Sequence, residues 1–254
     1  MAEDLLTELR DTVTQHPWWH ARARLAVRLL RAHGVPDGAA VLDAGCGWGV
    51  SFAALASNGY TVHGLDVSRR ALERLDGPGR VLIEADLTLP PPARARGAYD
   101  AALALDVIEH VDADRAVVES LADVVKPGGI VILSVPALPG LYSDFDVVQG
   151  HRRRYTPDSL SEVFDGTALQ LGRLFWWGEW MVPFLRLQRR ARRQPTGEQP
   201  MDTYRRHLRL PPWPIPALMQ AAFRLDEERA IRGKSRTGTS LIAVAQRPRV
   251  EGLP

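Results

Sequence analysis

Short apolar runs recur along the first half of the chain, with longer helix-patterned stretches between them. Runs at 39–42, 61–65, 80–83, 101–105 and 130–135 are each bounded by Gly, Pro or Asp, as expected of strands buried on both faces of a parallel sheet. Between them, 49–57, 69–75 and 113–125 suit helices. Upstream, 2–14 and 20–33 read as helices, the second placing Leu25, Leu29 and Leu30 at helical spacing before Gly34 and Pro36 end it. This alternation predicts an α/β fold, a Rossmann-like three-layer sandwich.

The pattern changes after Pro136. A loop at 137–150 leads into Thr156-Pro157, an N-cap followed by proline at the first helical position. A helix at 157–164, a strand at 169–177 and an aromatic, then basic, helix at 179–192 follow. Six prolines at 195, 200, 211, 212, 214 and 216 argue against regular structure over 194–216. A returning strand at 238–246 would leave 178–237 as an excursion from one domain.

The 254 residues suit one core with an appended lid, and 45% hydrophobic with 24% charged residues excludes a disordered chain. No run reaches the ~18 apolar residues of a membrane span, and the acidic start MAEDLLTELR lacks a signal-peptide core, so a cytoplasmic location is expected. Cys46 is the single cysteine, which excludes an intrachain disulfide or a cysteine-built zinc site. Residues 1–150 hold 13 Lys and Arg against 20 Asp and Glu, whereas 151–254 hold 19 against 10. Such a split can mark nucleic acid or anionic membrane as a partner. No nucleic-acid motif accompanies it, and RLQRRARR at 186–193 reads first as a solvated helix face. No nucleic-acid partner is expected; a weak peripheral membrane contact stays open, as does the oligomeric state.

The most informative segment is Val41-Leu42-Asp43-Ala44-Gly45-Cys46-Gly47-Trp48-Gly49. A strand enters a glycine-rich turn and a helix leaves it, which lets backbone approach a ligand and presents free N–H groups. The next strand ends in Gly64-Leu65-Asp66-Val67-Ser68, where a carboxylate can accept both hydroxyls of a ribose. Glu84-Ala85-Asp86-Leu87 brings another acid to the same edge. Ligands of open α/β sheets bind at these carboxyl ends, so Gly45, Gly47, Asp66 and Asp86 converge on one crevice.

Across residues 39–136 the sequence resembles the class I S-adenosylmethionine-dependent methyltransferases: DAGCGWG, GLDVS, EADL, YDAALALDVIEHV and VVKPGGIVILSVP stand in the family's order. Trp48 departs from the pattern, which favours a small residue or Thr there. His16-Pro17-Trp18-Trp19-His20-Ala21-Arg22 and the HRRRYT stretch starting at His151 are similar to segments of a bacterial subgroup with an HWWxxR motif. The resemblance implies S-adenosylmethionine as cofactor and a seven-stranded, mostly parallel sheet with an antiparallel last strand and a helical lid. It implies that Asp66 holds the ribose, that Asp86 and Leu87 flank the adenine, and that Gly45, Leu105 and Asp106 line the methionine part. Asp43, Gly47, Val67, Trp19 and Arg22 complete the expected cofactor set. The expected organisation is a lid at 1–38, a cofactor domain at 39–177 and 238–247, and an excursion at 178–237 shaping the acceptor pocket.

Methyl transfer from a sulfonium requires alignment and exclusion of water, and a neutral hydroxyl also needs a base. His110 and His151 are the candidates, each with a structural alternative; Tyr155 can donate a phenolic hydrogen bond or simply pack. Arg152, Arg153 and Arg154 suit an acidic group on the acceptor, or a pairing with Asp144 or Asp146 that pins the loop. Phe175, Trp176, Trp177, Trp180 and Phe184 suggest an apolar or aromatic acceptor, of natural-product or glycan type, methylated on oxygen or nitrogen. No ligand spacing stands out, so no metal is expected. Two other readings stay open: a non-methylating displacement, such as cyclisation of a sulfonium substrate, in the same crevice, and a non-catalytic binder of anionic membrane or RNA.

Overall fold

The computed structural model describes residues 9–191, 200–209 and 212–249. The strands are β1 (Ala40–Ala44), β2 (Thr61–Asp66), β3 (Val81–Glu84), β4 (Tyr99–Leu105), β5 (Val125–Pro136), β6 (Gln170–Trp177) and β7 (Ser240–Gln246). They form one sheet in the order β3-β2-β1-β4-β5-β7-β6. The pairs among β1 to β5 are parallel, whereas β7 runs antiparallel to both β5 and β6. This is the Rossmann-like sheet expected from the apolar runs and from the family resemblance.

Helices cover both faces. Helix α1 (Arg10–Gln15) precedes α2 (Pro17–Ala32) and α3 (Val50–Ser57); α4 (Arg69–Leu75) and α5 (Asp114–Val124) follow in the βα repeats. After β5 come α6 (Asp144–Gln149) and α7 (Pro157–Glu162), and between β6 and β7 lie α8 (Met181–Ala191), α9 (Pro200–Leu208) and α10 (Ile215–Ile231). Residues of α2, α3 and α10 share one apolar cluster with β1, β4, β6 and β7, while α5 and α7 belong to the cluster on the other face. Hydrophobic burial on two sides explains why β4 and β5 read as unbroken apolar runs.

Two stretches differ from the expected loops. Within 137–150, Ser143 accepts from the backbone N–H of Phe145, and its own backbone N–H donates to Asp146, so a capping box starts α6. Within 194–216 the prolines do not exclude helix. Pro200 is the first residue of α9, and Pro214 and Pro216 bracket the start of α10, positions where no helical N–H is needed. The part of the expected 2–14 helix over residues 1–8 lies outside the described residues. Among the described residues, no helix is long and apolar enough to cross a membrane.

Trp18 and Trp19, adjacent on α2, point in different directions. Trp18 packs against Trp177 of β6, with ring centroids 4.5 Å apart, and against Phe223 of α10. Trp19 meets Trp48 of the glycine turn edge-on at 6.1 Å. Trp177 is 0% exposed, so Trp177→Ala should cost about 3–5 kcal/mol in chemical denaturation. Trp213→Ala, at a ring 85% exposed, should stay within about 0.5 kcal/mol.

Candidate active site

Gly45, Gly47 and Gly49 all adopt left-handed backbone, with φ of 75°, 46° and 77°, which only glycine takes without cost. Gly45 carries a second constraint: a Cβ there would lie 2.5 Å from Val107 Cγ2. The turn is anchored by the N–H groups of Gly45 and Cys46, which donate to the carbonyl of Leu65 at 2.7 and 3.1 Å. Trp48, the departure from the family pattern, packs on Trp19.

Acids gather at this edge because β1, β2 and β4 end together. Asp43 is 2% exposed and its Oδ2 has no hydrogen-bond partner. Burial pushes its carboxyl up to about 7, opposed by Arg22 and reinforced by Asp66. Asp66 accepts from the backbone N–H of Gly47 at Oδ2 and of Ser68 at Oδ1, both at 2.9 Å. Asp86 is exposed and accepts from the N–H and hydroxyl of Thr88, at 2.8 and 2.7 Å. Leu87 and Leu105 are buried, whereas Val67 is 69% exposed.

Asp106 has φ 58°, a conformation that costs a non-glycine residue about 1–3 kcal/mol. Its surroundings hold it there: its N–H donates to the carbonyl of Ser134, the Ser134 hydroxyl donates to Oδ1 at 2.7 Å, and Arg22 of α2 pairs with Oδ2. The lid helix is thereby tied to the end of β4.

Beyond Asp106, the 3-10 turn Ile108–His110 faces the loop after α6. Arg152 fixes the approach, its N–H donating to the carbonyl of Glu109 at 2.8 Å and its Nε to that of His110 at 2.9 Å. His110 and His151 rings lie 4.8 Å apart. Burial, with His151 beside it, lowers the His110 imidazole to about 4. His151 is 9% exposed; its Nδ1 lies 3.1 Å from Asp146 Oδ1 and its Nε2 lies 3.8 Å from Glu109 Oε1. Burial alone would raise Asp146, but hydrogen bonds from His151 and Arg154 hold its carboxyl down at about 2.

Tyr155 sits inside the core, its hydroxyl donating to Asp114 at 2.9 Å. Arg152, Arg153 and Arg154 are paired with Asp112, Asp114 and Asp146. One grouping has no counterpart in the spacing along the sequence. Glu109, His110 and His151 offer ligand atoms within 4.8 Å of one another. The adjacent Glu-His pair was the one local signal; the third residue stands 41 positions on, brought back by β5 and the loop that follows.

A family model described as a methyltransferase domain matches residues 18–171. The chain therefore belongs to this family, the class I S-adenosylmethionine-dependent methyltransferases. It is 35% identical over 133 residues to a ubiquinone biosynthesis O-methyltransferase of Paraburkholderia xenovorans, and likewise to one of Burkholderia pseudomallei. Each match covers 47% of this chain and 57% of that relative, so the chain spans little more than half the length of these curated relatives.

Solved structures share the fold at low identity. The complex between the Haloferax volcanii Trm112 methyltransferase activator and a methyltransferase contains a chain with TM-score 0.61 and 17% identity, covering 97% of both chains. The [4+2]-cyclase SpnF has TM-score 0.56 and 18% identity, over 90% of this chain and 81% of its own. Haemonchus contortus phosphoethanolamine N-methyltransferase 2 with S-adenosyl-L-methionine has TM-score 0.55 and 15% identity, over 98% of this chain and 60% of its own.

The residues present fit the family's cofactor: the turn leaves no room for a Cβ at Gly45, and buried Asp43 keeps an unsatisfied oxygen beside it. Gly45→Ala should weaken S-adenosylhomocysteine binding by roughly tenfold or more, because left-handed strain of about 1–2 kcal/mol adds to the Val107 contact. Val107→Ala in the same chain should recover part of the loss in calorimetry. Asp43 also predicts a pH dependence. Between about pH 4 and 7 the folded chain holds a proton that the unfolded chain has lost, so unliganded stability falls with rising pH, by on the order of 4 kcal/mol. Asp43→Asn should lack that slope, and parallel urea midpoints of the two proteins from pH 5 to 8 would contradict it.

Proposed function

We propose that this chain moves a methyl group from S-adenosylmethionine to an oxygen of a small aromatic acceptor. The carrying observation is the left-handed glycine turn between Asp43, Asp66 and the Asp106–Arg22 pair, at the edge where the His110–His151 cluster also lies. Bound there, the cofactor supplies a methyl group on a positively charged sulfur that departs as a neutral thioether.

The chain's own residues do the rest. Asp66 receives the ribose hydroxyls, Asp86 and Leu87 flank the adenine, and Gly45, Leu105 and Asp106 line the amino-acid part. Asp146 keeps the Nδ1 proton of His151 and leaves Nε2 with a lone pair. That nitrogen accepts the acceptor's hydroxyl proton as the oxygen–carbon bond forms. Tyr155, bonded to Asp114, braces the turn beneath without touching the reactants.

The acceptor's class follows from the lid. Trp19 and Tyr204 are buried in one cluster with Trp48 and Phe145 packed against it, and the Tyr204 hydroxyl is buried without a partner. Aromatic rings around one unsatisfied hydroxyl suit a flat acceptor carrying a polar substituent. Tyr204 belongs to α9, which gives the 178–237 excursion its part in acceptor selection. The names of the curated relatives favour oxygen as the nucleophile.

Purified protein should bind S-adenosylhomocysteine in calorimetry, and phenolic acceptors should gain one methyl in mass spectrometry. Absence of cofactor binding would overturn the reading. A product formed without methyl gain would point to the displacement reading instead.

A further inference from the structure

Glu109 is 0% exposed, and neither of its carboxylate oxygens has a hydrogen-bond partner. Such a group is costly to bury, and folded proteins seldom leave one unsatisfied. Next to it, Nδ1 of His110 is also buried without a partner. His151 turns Nε2 toward Glu109 Oε1 at 3.8 Å, held by the contact of its Nδ1 with Asp146. Unsatisfied carboxylate, unsatisfied imidazole and oriented imidazole thus share one small volume.

We propose that Glu109, His110 and His151 bind one divalent cation of the Zn²⁺ or Mn²⁺ type, with Asp146 as the carboxylate that orients His151. Two imidazoles and one carboxylate match the donor preference of such ions, and three protein ligands leave a coordination position open. The Asp146–His151 contact is the outer arrangement that metal-bound histidines require, since it places the proton on Nδ1 and the lone pair on Nε2. Around a zinc-sized ion, ligand atoms lie ~3.5 Å apart for bonds near 2.1 Å, so the 3.8 Å contact between His151 and Glu109 needs slight contraction, and the widest spacing of the set, 4.8 Å, needs side-chain movement of about 1 Å on binding.

Charge supports the same assignment. Three carboxylates meet here, Asp106, Glu109 and Asp146, whereas two guanidiniums answer them: Arg22 on Asp106 and Arg154 on Asp146. Among the described residues, Glu109 is the one of the three with no guanidinium paired to it. With the ion bound, His151 Nε2 is a ligand in place of the proton acceptor, and the open coordination position would take the acceptor oxygen and favour its ionised form, the proton passing to water. That last step rests on the methyl-transfer reading above; binding of the ion does not.

The test uses the full chain, stripped with chelator and reloaded with ZnCl₂ or MnCl₂. Elemental analysis after dialysis should give one ion per chain, and Co²⁺ should give visible absorption of a low-symmetry site. Glu109→Gln keeps the shape and removes the ionisable oxygen, so it should fold while losing at least tenfold in calorimetric metal affinity. Asp146→Asn should lose about 10–100-fold. Absence of stoichiometric uptake by the unaltered chain, or equal uptake by Glu109→Gln, would overturn the site. S-adenosylhomocysteine binding, measured on the same samples, reports on the cofactor reading separately and should persist in Glu109→Gln.

Discussion

The carboxyl edge of the sheet depends on the buried carboxylate of Asp146. It receives the Ser143 N–H and hydroxyl, the imidazole of His151 and the guanidinium of Arg154, whose other nitrogen reaches the carbonyl of Ala137. One side chain thereby starts α6, orients an imidazole and closes the loop back onto the end of β5. The left-handed Asp106 depends on a comparable enclosure by Ser134 and Arg22. Both sites hold strained or charged groups that are tolerable only because several donors converge on them.

The uneven distribution of charge acquires a structural meaning. Cations from the basic part of the chain meet acids from the acidic part: Arg152 with Asp112, Arg153 with Asp114, Arg154 with Asp146, and Arg206 of α9 with Asp144. Exposed pairs such as Arg152–Asp112 contribute little stability, on the order of 0–1 kcal/mol. Their value is positional, because they dock the segments after β5 against the turn after β4. Among the described residues, part of the asymmetry is met by these pairs within the chain.

The central strands were legible because burial on both faces leaves an uninterrupted apolar run, and the glycine turn because its backbone admits few other residues. Helix α9 was obscured by prolines whose damage to a helix depends on position, a distinction that a count of six cannot make. Helix α6 was obscured by length, although Ser143 and Asp146 carry its capping signal. Glu109, His110 and His151 could not be grouped from sequence, since their meeting depends on Arg152 bonding to two carbonyls of the facing turn. Tyr204 was hidden for the same reason: its burial beside Trp19 comes from tertiary packing, with no periodic signal behind it.

The sheet order has a consequence for biosynthesis. Among the described residues β6 pairs only with β7, and β7 lies between β5 and β6. The strand holding Trp177 therefore has no neighbour until residues 240–246 have left the ribosome. The first five strands can assemble during translation, but β6 and the α10 packing that closes over Trp18 must wait for the C-terminal strand to be inserted. A nascent chain cut short before β7 would expose an apolar edge along β5, the kind of template that unpaired strands offer for aggregation.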